Sequence, residues 1–208
     1  MQDWLPILIS GLALLTSVAT AWFTLFRRGS LRMTQPTMVF IGPDGTPQID
    51  RTRHTKVFLR TLLFSTSHTR QTVESIYVTL QRGETKQNFS IWVYGDEKVA
   101  RGSGLSVGQE GVACNHHFLL PNDGSAFPIL PGKYVLTVFA KRICDFSPRK
   151  LHETTLIITE KNVQELEQKN AGIYFDWGPD QQAYQSHVEV RPTESPPGWL
   201  LNAMGFEK

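Results

Sequence analysis

Residues 5–26 form an unbroken apolar run without a charged side chain, and from residue 37 onward apolar and polar positions alternate with a period of two. A helix rising about 1.5 Å per residue turns the first pattern into a rod that covers the roughly 30 Å hydrocarbon core of a bilayer. The second pattern belongs to antiparallel strands with one buried face. It predicts strands at 37–41, 55–65, 72–81, 86–94, 111–120, 132–141 and 151–159. Turn residues separate them at Pro43-Asp44-Gly45, Arg82-Gly83-Glu84, Gly95-Asp96, Asn122-Asp123-Gly124 and Pro131-Gly132. These supply a preset φ, a tolerated positive φ, or both.

Within 132–141, Tyr134, Leu136, Val138 and Ala140 share one face and are expected in the core. The polar stretch 160–171 carries Val163 and Leu166 at helical spacing, with Gly172 as a stop, so a short helix is expected there. Residues 171–191 hold Tyr174, Phe175, Trp177 and Tyr184 and are expected to pack back as a hairpin or covering loop. The chain divides into an anchor at 1–28, a linker at 29–36, a β domain at 37–191 and a tail at 192–208. The tail breaks at Pro192, Pro196 and Pro197 and ends in apolar Trp199, Leu200, Met204 and Phe206. An apolar patch after such a spacer either docks a partner or folds back onto a sheet edge or the membrane surface.

The segment Pro131-Gly-Lys-Tyr-Val-Leu-Thr-Val138 resembles the Pro-Gly-x-Tyr-x-Leu-x-Val strand late in many immunoglobulin-like and fibronectin-III-like domains. The resemblance covers one strand and implies an architecture, an antiparallel β-sandwich, without implying an activity. About seven short strands at this spacing agree with it independently.

The flanks of the apolar run separate an anchor from a cleaved signal peptide. Ala19-Thr20-Ala21 is similar to a small-residue cleavage site, but the chain begins Met-Gln-Asp-Trp instead of with a basic region. The run also continues past Ala21 to Phe26 and into Arg27 and Arg28. With Arg32 these arginines follow the helix, while Asp3 precedes it, so the bias toward cytoplasmic arginine places the N-terminus outside and the domain inside, as at the inner membrane of a bacterium. On a helical wheel Ala13, Ser17, Thr20, Ala21 and Thr24 fall on one small, hydroxylated face, together with Ser10 and Thr16. Such a face either pairs helices in lipid or bonds back to its own backbone.

Composition sharpens the class. At 208 residues, with 40% hydrophobic and 19% charged, the chain fits one folded domain plus an anchor. Net charge is only +2 and part of the basic excess flanks the apolar run, so nucleic acid is not an expected partner. Cys114 and Cys144 either pair in an oxidising compartment, bridging two sheets, or stay reduced. Cys114 and His116, two apart on a strand, point to the same side, as metal ligands on one strand must. Their alternation with Val112, Phe118 and Leu120 instead marks core positions, and no metal is expected. The stretch Arg101-Gly-Ser-Gly-Leu-Ser-Val-Gly108 lacks the Gly-Lys-Ser/Thr ending of a phosphate loop and is expected as a flexible hairpin, open to use as a recognition loop. Asp176 with Asp180, and Asp96 with Glu97, are acidic pairs explained by turn chemistry.

No catalytic motif and no cofactor site emerges. The sequence therefore predicts a single-pass, non-enzymatic module that binds or senses a protein partner at the cytoplasmic face. One alternative is a small membrane effector that oligomerises through its helix, and another is an extracytoplasmic envelope or adhesion domain.

Overall fold

The computed structural model describes residues 4–23, 29–44, 55–96, 99–121, 127–168 and 171–190. They form a mainly β chain of two antiparallel sheets, preceded by one apolar helix. That helix, α1 (Trp4–Ala21), is long and apolar enough to cross a membrane, and its side chains are exposed. Its 18 residues rise about 27 Å. The rest of the expected span, residues 24–28 with Thr24, Arg27 and Arg28, lies outside the described residues.

The chain then runs through β1 (Leu31–Met33), β2 (Met38–Pro43), β3 (Thr55–Ser65), β4 (Gln71–Arg82), β5 (Thr85–Phe89), β6 (Ile91–Tyr94) and β7 (Ala100–Arg101). It continues through β8 (Leu105–Val107), β9 (Val112–Leu119), β10 (Gly132–Arg142), β11 (Arg149–Ile158), α2 (Glu160–Leu166), β12 (Ala171–Gly178) and β13 (Ala183–Val190). The larger sheet has the order β13-β12-β2-β3-β9-β6-β7, with β1 also on β3. The smaller has the order β11-β10-β4-β5, with β8 also on β4.

Both sheets turn alternate residues into one core. β3 contributes Val57, Leu59 and Leu63, and β4 contributes Val73, Ile76, Val78 and Leu80. β10 contributes Tyr134, Leu136, Val138 and Ala140, the face expected from its alternation. Each large side chain withdrawn from water here stabilises the fold by about 1.5–3 kcal/mol.

The expected strand 86–94 is two strands in different sheets, β5 and β6, parted at Ser90. Phe89 and Trp92 are both core residues, yet an offset of three would put them on opposite faces of one strand. The break at Ser90 resolves that conflict. The stretch 29–36, expected as a linker, contains β1, because Leu31 is buried against β3. The glycine-rich stretch 101–108 is not a free hairpin either, since β8 lies on β4 and buries Leu105 and Val107. The short helix stops at Leu166, before the expected 171, because Ala171 is already paired with Val190 in the β12–β13 hairpin. Its start is capped: the Thr159 hydroxyl accepts from Asn162 N at 3.2 Å, and Asn162 Oδ1 accepts from Thr159 N at 3.0 Å.

The larger sheet also carries a row of rings on its outer face, among polar neighbours such as Arg60 and Asp176. Strand register sets His117, Phe58, Phe40, Tyr174 and His187 side by side across β9, β3, β2, β12 and β13. Ring centroids lie 5.0 Å apart for Phe58 and His117, 4.7 Å for Phe40 and Tyr174, and 5.3 Å for Tyr174 and His187. Gly172 makes room for this ladder, since a Cβ there would stand 2.2 Å from Phe40 Cε2.

Candidate functional site

Alternation along β9 turns Cys114, His116 and Phe118 inward, where β6 presents Trp92. Trp92 Nε1–H donates to His116 Nδ1 at 3.1 Å, and His116 Nε2 lies 3.4 Å from Cys114 Sγ. Because indole only donates, Nδ1 is the acceptor, and the neutral ring carries its proton on Nε2, facing the sulfur. Burial pushes His116 down to about 4, helped by His117 and opposed by Asp96. Burial, together with Asp96, pushes the Cys114 thiol up to about 11. At neutral pH the trio is an uncharged hydrogen-bonded chain inside the core, with Cys114 as the thiol. Among the described residues no group of three or more histidine, cysteine, aspartate or glutamate side chains is placed to hold a metal ion.

Cys144 is exposed in the turn after β10, and both thiols are free, so the expected alternative of a bridge between the sheets does not form. Of the acidic residues expected in turns, Asp96 follows β6, but Asp176 lies within β12, paired with Gln185 and Met38, because the β12–β13 hairpin runs on to Gly178. Asp96 Oδ1 accepts from Asn115 N at 3.1 Å, and Asp176 Oδ2 lies 3.3 Å from His187 Nδ1. Arg101 sits in β7, and Gly102 N donates to Trp92 O at 2.8 Å, tying the glycine-rich stretch to the strand that carries Trp92.

Two recesses lie at opposite ends of the β domain. The first, about 160 Å³, opens where the chain enters at Ser30 and Leu31 and is lined by Arg32, Arg142, Asp145 and Arg149. Arg142 forks onto Asp145, with Nε to Oδ2 and Nη2 to Oδ1 both at 2.7 Å. Its Nη1 donates to Gly29 O at 3.1 Å and to Gln71 Oε1 at 2.8 Å. The Arg142 hydrogen bonds hold the Asp145 carboxyl below the usual carboxylate range, against the opposing effect of burial. Sequence reasoning passed over this clamp, whose only trace is an arginine and an aspartate three apart in a turn.

The second recess, about 280 Å³, lies at the other end between α2 and the approach to β10. Phe127, Ile129, Val163 and Leu166 line it together with the polar Thr55, Glu167 and Gln168. Val163 and Leu166, expected on one face of a surface helix, line it together. Ala171 also borders it and pairs with Val190, the last described residue. Trp199, Leu200, Met204 and Phe206, the expected docking residues, lie outside the described residues.

On α1, Thr16 Oγ1 and Ser17 Oγ donate to Ala13 O at 2.9 and 2.8 Å, and Thr20 Oγ1 donates to Thr16 O at 2.7 Å. The hydroxyls of Thr16, Ser17 and Thr20 are thus satisfied within one helix, and Ala13, Ser17, Thr20 and Ala21 stay exposed. Comparison of the chain with protein-family models and with curated proteins finds no match.

Proposed function

We propose that this protein is a single-pass, membrane-tethered, immunoglobulin-like β-sandwich that binds a protein partner with the end of the domain remote from its anchor, and that it is not an enzyme. The observation that carries the reading is α1 itself. An 18-residue apolar helix, exposed along its whole length, presents far more apolar surface than a water-dissolved chain sustains. The bilayer is the solvent that suits it.

Strand order supports the immunoglobulin-like part. The run β2-β3-β9-β6 and the run β11-β10-β4-β5 correspond to A-B-E-D and G-F-C-C′. Among these eight strands the chain changes sheet after β3, β5 and β9, while the three-residue β8 makes a further excursion onto β4 and β12 returns to the larger sheet. Tyr134, near the start of the strand in the F position, donates its hydroxyl to Leu130 O at 2.8 Å and accepts from Leu130 N at 3.0 Å. That is the arrangement of a tyrosine corner. The recess beside α2 gives this end apolar side chains set among polar ones, a mixture that a protein partner can pack on and hydrogen-bond to.

Arg27, Arg28 and Arg32 favour a cytoplasmic domain, and the exposed free thiol of Cys144 suits a reducing compartment. Capture of the full-length protein from gently solubilised membranes tests the reading. It predicts a stoichiometric protein partner that is lost with Leu166→Asp and kept with Glu84→Gln. A preparation that contains this chain alone, or a partner indifferent to Leu166, overturns it. An active periplasmic alkaline phosphatase fused to the C-terminus would reverse the orientation.

The small-residue face favours a second reading, an effector assembled through its helices. Leucine at Ala13, Ser17 and Ala21 together would then abolish crosslinking between copies. Retained crosslinking removes that reading.

A further inference from the structure

The turn from β10 to β11 carries two large apolar side chains that nothing in the described structure covers. Ile143 is 67% exposed, as open as the side chains of α1, and Phe146 is 107% exposed. They lie either side of Cys144 and Asp145 and directly follow Arg142, whose guanidinium holds Gly29 O. We propose that residues 143–146 are a second, peripheral membrane contact, with Ile143 and Phe146 inserted at the headgroup boundary beside Arg149 and Lys150. The inference rests on the reading of α1 as a membrane anchor.

Chain length keeps this turn within reach of the bilayer. Five residues, 24–28, separate Phe23 from Gly29, and even fully extended they reach about 20 Å. Gly29 is fixed to Arg142, so the residue that leads into the turn stays within that reach of Phe23, extended only by the length of the Arg142 side chain. Hydrogen bonds from Ile143 N to Thr72 O at 3.1 Å and from Asp145 N to Arg142 O at 3.0 Å brace the turn from behind. The braced turn holds both Ile143 and Phe146 exposed.

Charge agrees with the placement. Arg32, Arg149 and Lys150 surround the turn and are exposed, while the Asp145 carboxylate is buried against Arg142. Arg149 also reaches Asp145, with Nη2 3.3 Å from Oδ1, so this carboxylate is shared by two guanidinium groups. Lys150 is shared with Glu153, and the neighbouring Arg70 is shared with Glu110. The end retains more basic than acidic groups facing outward, which suits anionic lipid. Two apolar side chains give only weak binding on their own, but a tether of this length holds them at an effective concentration in the millimolar range, where weak contacts are occupied. The contact also fixes orientation: with the β10–β11 turn on the lipid, the recess beside α2 faces away from it.

Cys144 makes the turn directly measurable, because its thiol is exposed and the Cys114 thiol is buried and protonated. Full-length protein is reconstituted into vesicles of phosphatidylcholine and phosphatidylglycerol containing lipid with a nitroxide high on the acyl chain, and Cys144 is labelled with a polarity-sensitive dye. A control carries the dye on Glu84→Cys in a Cys144→Ser background, at the opposite end of the domain. The proposal predicts a blue-shifted dye at Cys144, quenched several-fold more than the dye at position 84. Ile143→Glu with Phe146→Glu brings that quenching down to the control level without changing the melting temperature. Protein that fails to float with the vesicles after alkaline wash refutes the anchor and this contact with it. Protein that floats, but whose Cys144 dye is quenched no more than the control, overturns the contact and leaves the anchor standing.

Discussion

At the residue scale, His116 shows how burial replaces chemistry. Its ring is nearly inaccessible, takes one hydrogen bond from Trp92 and faces Cys114, and its folded value of about 4 lies well below the ordinary 6.5. The unfolded chain therefore takes up a proton first as the pH falls. Stability from this group is complete above 6.5 and declines between 6.5 and about 4, by on the order of 3 kcal/mol. Asparagine at 116 keeps an acceptor near Nδ1 for Trp92 and cannot titrate there. For His116→Asn, urea midpoints measured from pH 7 to pH 4 should fall less steeply than in the parent protein; equal slopes would show that another group sets the acid limb. The sequence made the inward side of His116 legible through period-two alternation. Trp92 as its partner was not legible, because pairing of β6 with β9 is a contact between residues 24 apart that no local pattern encodes.

At the scale of elements, patterns that concern one strand carried over and those that concern two did not. β3 matches its expected bounds at 55–65, and the inward face of β10 was visible in its alternation. By contrast, β1 and β8 are three residues each, too short for a period to show, and they exist because neighbouring strands offer edges for Leu31, Leu105 and Val107 to pack on. The outer aromatic ladder was hidden for a related reason. In β2 the run Met38-Val39-Phe40-Ile41 shows no alternation, the mark of a strand covered on both faces, but the partners of Phe40 come from register with β3 and β12. Gly172→Ala should therefore destabilise the protein by about 1–3 kcal/mol, since the methyl group collides with the Phe40 ring. Thermal melting reads the loss directly, and an unchanged midpoint would mean that the ladder yields at no cost. Tyr134→Phe tests the corner at the start of β10. It removes the hydroxyl that bonds both backbone groups of Leu130 and should cost about 1–2 kcal/mol, with faster amide exchange at Leu130 as the local sign.

At the scale of the molecule, the two ends of the β domain differ in what lines their recesses: one gathers Arg32, Arg142, Asp145 and Arg149 where the chain arrives from α1, and the other sets Phe127, Ile129, Val163 and Leu166 beside Thr55, Glu167 and Gln168. The Arg142–Asp145 clamp makes the first end a rigid attachment point, because one guanidinium bonds the turn carboxylate, Gln71 on β4 and the Gly29 carbonyl together. The Asp145 carboxylate is buried, and without it Arg142 would keep its charge in the same shielded place with less to bond. Asp145→Asn should thus destabilise the full chain by about 2–3 kcal/mol, the range for hydrogen bonds to charged groups. The folded Asp145 holds its proton less tightly than an ordinary aspartate, so its contribution is complete above the usual carboxylate range and is lost as the pH falls through its depressed folded value. The variant should accordingly lose stability at neutral pH and converge with the parent protein in strong acid. Hydrogen exchange separates a general loosening from release of the attachment. If the clamp joins anchor to domain, exchange at Leu31 to Met33 rises well before exchange in β10 and β4, whereas a uniform rise across both sheets would make Asp145 a stabilising residue with no special part in carrying the tether.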